Sequence, residues 1–326
     1  LLRKDEFSAK IGHSQSDRRG WGRILLMALL ALLMVGCAGG AGIRWHPTAQ
    51  DPPDQPLLNA IPFFPQAEYQ CGPAALAMAL AWSGVHISPD DLTAAVFTPS
   101  RKGSLQSAMI AAGRRQARIV YPLSGPEALV AEVAAGHPVI VLQNLGLAWY
   151  PVWHYAVVVG LDLTKGNLIL HSGTTPHKPV ALKTFAHTWA RSGYWGLLVL
   201  PPSRLPAAVE EKEYLTAVSH LERLGKFQVA AEGYRTALSR WPDSLPAAMG
   251  LGVCLYRTGE LQSAEAAFRD AILKFPDQGV PFNNLAQVLM AQGRKADALE
   301  AVRRAIQLGG PLKAHFESTL AEIHNQ

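Results

Sequence analysis

Gly225, Gly259 and Gly293 stand 34 residues apart, and Ala230, Ala264 and Ala298 keep the same interval, as do Ala237, Ala271 and Ala305. Pro242 and Pro276 continue the register, with Gly310 in the third position. No other feature constrains the fold so tightly. A repeat of this length that reads as helix throughout cannot bury its apolar face alone, so successive copies must stack on one another. Small Ala residues at fixed positions let paired helices approach closely, and Pro ends the second helix of each pair. The chain from residue 211 onward is therefore expected to be an all-α solenoid of three repeats, roughly 211–244, 245–278 and 279–312.

This period and residue pattern resemble the tetratricopeptide repeat. Tyr234 and Phe268 take the large apolar position of the second helix. Residues 313–326 read as a short helix that caps the stack. The resemblance implies a protein partner on the repeat surface. Cys254 falls at a small-residue position of the second repeat and reads as packing.

The other end of the chain has a different texture. "RRGWGRILLMALLALLMVGCAGG" is a basic flank, an apolar run over Ile24–Val35 and a small-residue segment that includes Cys37. The run is shorter than the roughly 20 residues a spanning helix needs and suits the core of a signal peptide. Residues 1–36 carry six basic and three acidic groups, and the whole chain has a net charge of +5. Met34-Val35-Gly36-Cys37 resembles the lipobox of bacterial lipoproteins, with Met34 where Leu is usual. The resemblance implies cleavage before Cys37, lipidation of its sulfur and, with Ala38 next, sorting to the outer membrane of a Gram-negative cell, facing the periplasm. Residues 38–60, rich in Gly, Pro, Ala and Asp, read as a flexible tether.

Between tether and repeats, residues 61–203 carry both periodicities. Ala74–Trp82, Pro89–Val96, Leu105–Ala112 and Glu127–Ala135 read as helices. "PVIVLQN" (138–144), "HYAVVVGLD" (154–162), "NLILHSG" (167–173) and "YWGLLVLPP" (194–202) read as strands. "DLTKGN" makes a hairpin turn, Gly166 being free to take positive φ. Helices followed by an antiparallel sheet predict α+β architecture. No basic run with interleaved aromatics points to nucleic acid. Three cysteines at 37, 71 and 254 are too scattered for a disulfide framework or a metal site, and no cofactor is expected.

In "FFPQAEYQCGPAALAMAL", Cys71 stands where an apolar helix begins, with Gly72 and Pro73 in its first turn. Free N–H groups at a helix start favour a thiolate, so the position predicts a lowered thiol pKa. Gly72 is expected to let substrate backbone come close. A thiol nucleophile needs a base from elsewhere in the chain. His154, at the head of an apolar strand, is the candidate.

"PQAEYQCGPAALAMAL" with "HYAVVVGLD" some 80 residues later resembles the papain-like peptidases of the C39 family, and more closely the secreted C39-like domains. The resemblance implies a cysteine peptidase with Cys71 as nucleophile, His154 as general base and acid, and Gln66 as oxyanion donor. The family's Asp on the following strand is missing from "LILHSGTTP". His171 is the candidate orienting residue there, while a hairpin centred near Lys165 places Thr175 opposite His154. Three readings follow: a membrane-anchored periplasmic peptidase acting on a peptide or protein, a catalytically weak peptide-binding scaffold, and a papain-like cell-wall amidase.

Overall fold

The computed structural model describes residues 57–325. The signal segment, Cys37 and the tether up to residue 56 lie outside the described residues. Helix α1 (Cys71–Trp82) is followed by α2 (Pro89–Val96) and a small ribbon, β1 (Phe97–Thr98) and β2 (Gly103–Ser104). Next come α3 (Gln106–Arg115), β3 (Ile119–Ser124), α4 (Pro126–Ala134), β4 (Val139–Asn144), β5 (Trp153–Asp162), β6 (Asn167–Ser172), β7 (Thr175–Ala181), α5 (Leu182–Ala190) and β8 (Trp195–Leu200). Seven helices complete the described chain: α6 (Glu211–Arg223), α7 (Phe227–Arg240), α8 (Leu245–Arg257), α9 (Leu261–Lys274), α10 (Gly279–Ala291), α11 (Lys295–Leu308) and α12 (Lys313–Asn325).

α1 is apolar on every side and is buried from Gly72 to Ala81. A helix of that kind belongs inside a core. It lies on a six-stranded sheet of order β3-β8-β4-β5-β6-β7, antiparallel at every pairing. Ile140, Leu142, Tyr155, Val157, Val159, Leu197 and Val199 share one cluster with α1. Side chains alternate along a strand, so Val139, Val141, Ala156 and Val158 face the other side. They are buried as well, because α4 and α5 cover that face. Burial on both faces is why β4 and β5 read as unbroken apolar runs.

Two strands and one helix escape the apolar pattern. β3 contains Pro122, and β7 carries Pro176 and Pro179 in a largely exposed sequence. Proline cannot donate to a ladder, so such strands sit at sheet edges, and β3 and β7 are the two edges. α5 buries only Phe185 and Trp189. The tether also ends earlier than its composition implies. Leu58 donates its N–H to Val159 O, and Leu57 packs on Gly160, so residues 57 and 58 belong to the sheet domain.

The helical half repeats as its glycines demand. Gly225, Gly259 and Gly293 take φ of 70°, 82° and 77° where each first helix turns into the second. The Tyr234 ring lies on Gly250 and the Phe268 ring on Gly252, so close that a Cβ would fall 2.4 Å from either ring. Phe316 of α12 covers Gly279 in the same manner. Cys254 is fully buried, and burial pushes its thiol up to about 12. No described helix is long and apolar enough to cross a membrane.

Candidate active site

Tyr69 takes the left-handed φ of 62°, and the chain reverses there into α1. Gln70 caps the helix without a side-chain bond, so the first-turn N–H groups keep their capacity for another partner. Pro73 has no N–H to satisfy. Cys71 lines a cleft of about 1040 Å³, whereas Gly72 is buried and is not among the lining residues. Gln66, Cys71, Ser104, Tyr150, Trp153 and His154 are among its lining residues. The cleft brings together three residues that the sequence singles out, Gln66, Cys71 and His154.

Gly72 is small for a different reason from the one expected. A Cβ there would lie 2.3 Å from Ser104 Oγ, so glycine admits β2 rather than a substrate. Ser104 Oγ is itself buried with no hydrogen-bond partner, while its carbonyl accepts from the Tyr155 hydroxyl at 3.1 Å.

The thiol pKa also departs from expectation. Burial pushes Cys71 above its ordinary value. The N–H groups of Tyr155, Gly72 and Cys71 itself pull the other way but do not prevail. Desolvation of the charged form outweighs the helix end here. His154 is displaced in the complementary direction, to about 4, first by burial and then by the charge of Lys178. At neutral pH the resting pair is a thiol and a neutral imidazole. No hydrogen bond joins Cys71 Sγ to His154 in this structure.

Instead, His154 Nε2 is 2.9 Å from Ser172 Oγ. When Nε2 carries the proton and donates it to Ser172, the lone pair is on Nδ1, the nitrogen left for the thiol. Ser172 is therefore the side chain in contact with the His154 ring. His171 is not. Its Nε2 bonds Ile61 O at 3.3 Å and its Nδ1 accepts from the His177 N–H at 3.1 Å. It is fully buried and its two ring nitrogens are occupied. Period-two alternation puts neighbours 171 and 172 on opposite faces, and the register selects the serine. Val157 pairs with His171, and a bulge between Val158 and Gly160 shifts the ladder. Thr175 pairs with Ser172 in the next hairpin, not opposite His154.

Gln66 is more heavily engaged than an oxyanion donor in waiting. Its Nε2 donates to Tyr155 O at 3.1 Å and, weakly, to Cys71 O at 3.5 Å. Its Oε1 accepts from the Gly173 N–H at 2.8 Å, and its own N–H donates to Gly173 O. The side chain clamps the start of α1 to β5 and to the β6–β7 turn. The N–H groups of Cys71 and Gly72 make no backbone hydrogen bond and act on the Cys71 sulfur instead.

The sequence could have suggested Ser172 only through its place beside His171, and gave no signal for Ser104. Among the described residues, no group of three or more His, Cys, Asp or Glu is placed to hold a metal ion.

Two family models match separate stretches of the chain. Residues 58–196 match the Peptidase_C39 like family, and residues 215–279 and 283–326 match the tetratricopeptide repeat. The chain thus carries a Peptidase_C39-like domain followed by tetratricopeptide repeats. The second match runs on through α12, which the sequence alone reads as a cap. No curated protein matches. Among solved structures, the chain is similar to the type III secretion translocator chaperone SycD of Yersinia enterocolitica, at 18% identity and a TM-score of 0.33, over 35% of this chain and 83% of that one. It is also similar to the TPR2B domain of yeast Sti1, in its pHsp70 complex, at 17% identity and a TM-score of 0.34, over 36% and 97%.

Proposed function

We propose that this is a cysteine peptidase that hydrolyses peptide bonds at Cys71, with His154 as base and Ser172 as its orienting partner. The observation that carries the reading is the His154 Nε2–Ser172 contact at 2.9 Å, beside the cleft that Cys71 and His154 both line. In the reaction, a turn of the imidazole brings Nδ1 to the thiol and takes its proton. The sulfur then attacks the scissile carbonyl. The carbonyl oxygen gains the negative charge, and the N–H of Cys71, which lines the cleft, receives it. The imidazolium gives its proton to the leaving amine, and water hydrolyses the thioester to restore the thiol. A thiolate–imidazolium pair is costly here, because burial and Lys178 oppose the imidazolium and nothing anionic offsets them. Slow turnover is the expected consequence of a serine in place of a carboxylate.

The test is hydrolysis of a mixed fluorogenic peptide library by the full chain. Release of fluorescence that disappears in Cys71→Ala supports the reading, together with trapping of Cys71 by a peptidyl vinyl sulfone. A chain that binds peptides but neither cleaves them nor captures the probe is a peptide-binding scaffold. That second reading has its own observation in its favour, the missing hydrogen bond between the thiol and His154.

The repeats serve protein binding, and the proposed arrangement is a catalytic domain over 61–203, advanced to 57 by the packing of Leu57 and Leu58, with a recruiting solenoid from 211. The lipobox-like Met34-Val35-Gly36-Cys37 supports an anchored form facing the periplasm. Labelled palmitate incorporated by the wild type and lost in Cys37→Ser is the expected result, and incorporation that survives the change removes the anchor.

A further inference from the structure

The residues that line the Cys71 cleft include Arg101, Lys102 and Arg191 and no Asp or Glu. A deep site whose walls carry one sign of charge concentrates ligands of the other sign. Glu68 is not part of the lining, but its carboxylate acts on the hydroxyl of Tyr69, which is, so one negative charge stands beside the three cations. The lining is therefore net positive.

One wall also carries an exposed apolar surface. The β4–β5 connection, "LGLAWYPV", leaves Leu145, Leu147, Trp149, Tyr150 and Val152 in solvent, with Trp153 beside them; Trp149 is 80% exposed. A patch of this size is unusual on a surface that nothing covers. It is also held in shape. Asn144, buried, accepts the N–H groups of Gly146 and Val152 on Oδ1 and donates Nδ2 to Leu147 O. Leu145 and Leu147 donate their N–H groups to Val152 O and Tyr150 O, so the hairpin extends beyond the sheet. Arg191 closes the base of the loop, with Nη1 donating to Asn144 O and Gly146 O. A buried amide and an arginine thus present aromatic side chains outward, and Tyr150, Val152 and Trp153 continue into the cleft that holds Cys71.

From this we infer that the cleft takes an acidic, aromatic- or aliphatic-bearing peptide: a bulky apolar side chain rests on Tyr150, Val152 and Trp153, and a neighbouring carboxylate faces Arg101 and Lys102. The inference names the substrate class of the proposed peptidase and rests on that reading for the fate of the bound peptide, not for the binding. The continuity of the patch with the cleft and the uniform sign of the lining charges favour a peptide over a second copy of the chain or a lipid surface.

The test uses full-length Cys71→Ala, so that bound peptide persists, and fluorescence anisotropy of four labelled peptides of one length, centred on Phe-Glu, Phe-Gln, Phe-Lys or Ala-Glu. The Phe-Glu peptide is expected to bind up to about fivefold tighter than Phe-Gln, the upper size of one exposed charge contact. Phe-Lys should bind worst, and the spread should shrink as salt is added. Adding Arg101→Glu and Lys102→Glu should invert the order of Phe-Glu and Phe-Lys. Adding Trp153→Ala should abolish the advantage of Phe-Glu over Ala-Glu. Affinity indifferent to peptide charge and to these changes overturns the inference. So does a patch that leads elsewhere: vesicle binding or dimerisation lost in Trp149→Ala with peptide affinity unmoved by Trp153→Ala. Separate failures are distinguishable. Selective binding without cleavage by the wild type sinks the peptidase reading alone, and cleavage of all four peptides at equal kcat/KM sinks the substrate class alone.

Discussion

Ser172 Oγ stands 2.9 Å from His154 Nε2, while His171, one residue away, has both ring nitrogens taken by Ile61 O and the His177 N–H. A one-residue step along β6 exchanges the faces of the sheet, and so decides which side chain reaches the candidate base. A hydroxyl orients the ring but adds no charge to steady an imidazolium. Replacing it with a carboxylate should do both. Ser172→Asp is expected to raise the His154 pKa from about 4 and to increase kcat. Ser172→Ala is expected to lower kcat with KM nearly unchanged. Proton NMR of the His154 ring across pH, beside the kinetics, checks both; a His154 titration unmoved in Ser172→Asp excludes Ser172 as its partner.

Lys178 also opposes charge on His154. Lys178→Gln should raise the His154 pKa in the same direction as Ser172→Asp, by a smaller amount, since burial is the larger cause. The same NMR titration reads it, and the two changes made together should exceed either alone.

The pKa directions give a stability profile. His154 is held at about 4 in the fold against an ordinary 6.5. The unfolded chain therefore takes up the proton first, so this contribution to stability is fully present above about 6.5 and is lost as pH falls towards 4. Cys71 works from the other side. Its raised pKa keeps the folded thiol protonated where the unfolded one ionises, so its contribution is lost as pH rises beyond the ordinary thiol range. Urea unfolding at a series of pH values should show the acid limb flattened in His154→Gln. Iodoacetamide should modify Cys71 slowly at neutral pH and faster only in the alkaline range, and rapid alkylation near pH 6 contradicts the burial argument.

Gln66→Ala removes a clamp as well as a donor. Gly173 N–H and Tyr155 O each lose a buried partner. The expected loss of stability is about 1–3 kcal/mol for a buried group left unsatisfied. Activity should fall with it, by more than the stability loss explains when measured well below the Tm. A lowered kcat with an unchanged Tm would instead make Gln66 a simple oxyanion donor.

Gly72→Ala should damage the domain before it touches substrate. Its Cβ would meet Ser104 Oγ at 2.3 Å and Ser104 Cβ at 2.5 Å. Overpacking of this kind costs about 1–3 kcal/mol. Adding Ser104→Gly should restore much of the Tm, whereas a site that merely needs room for a ligand gains nothing from the second change.

Much of the architecture was legible in the residues. The 34-residue interval demanded stacked helix pairs, because positive-φ glycines and small residues at helix crossings recur only where the same backbone geometry recurs. The all-apolar α1 and the unbroken runs of β4 and β5 announced elements buried on every side. β3, β7 and α5 were silent, since an edge strand with prolines and a helix with two buried residues carry little apolar period.

The candidate site divides along the same line. Cys71, His154 and Gln66 belong to local patterns, a helix start, a strand start and a short approach to the helix, and such patterns are written in consecutive residues. Their chemistry is not. The partner of His154 depends on the bulge between Val158 and Gly160 and on the register of three strands. The raised thiol and the lowered imidazole follow from how deeply the assembled sheet and helices exclude water around them. The role of Gly72 follows from Ser104, 32 residues further on, closing over it. Residue types and their spacing determined the repeats and the components of the cleft, because helix and strand periods are properties of neighbours. Packing between distant segments decided which atoms meet and which charges are tolerated, because desolvation and hydrogen-bond geometry exist only once those segments have come together.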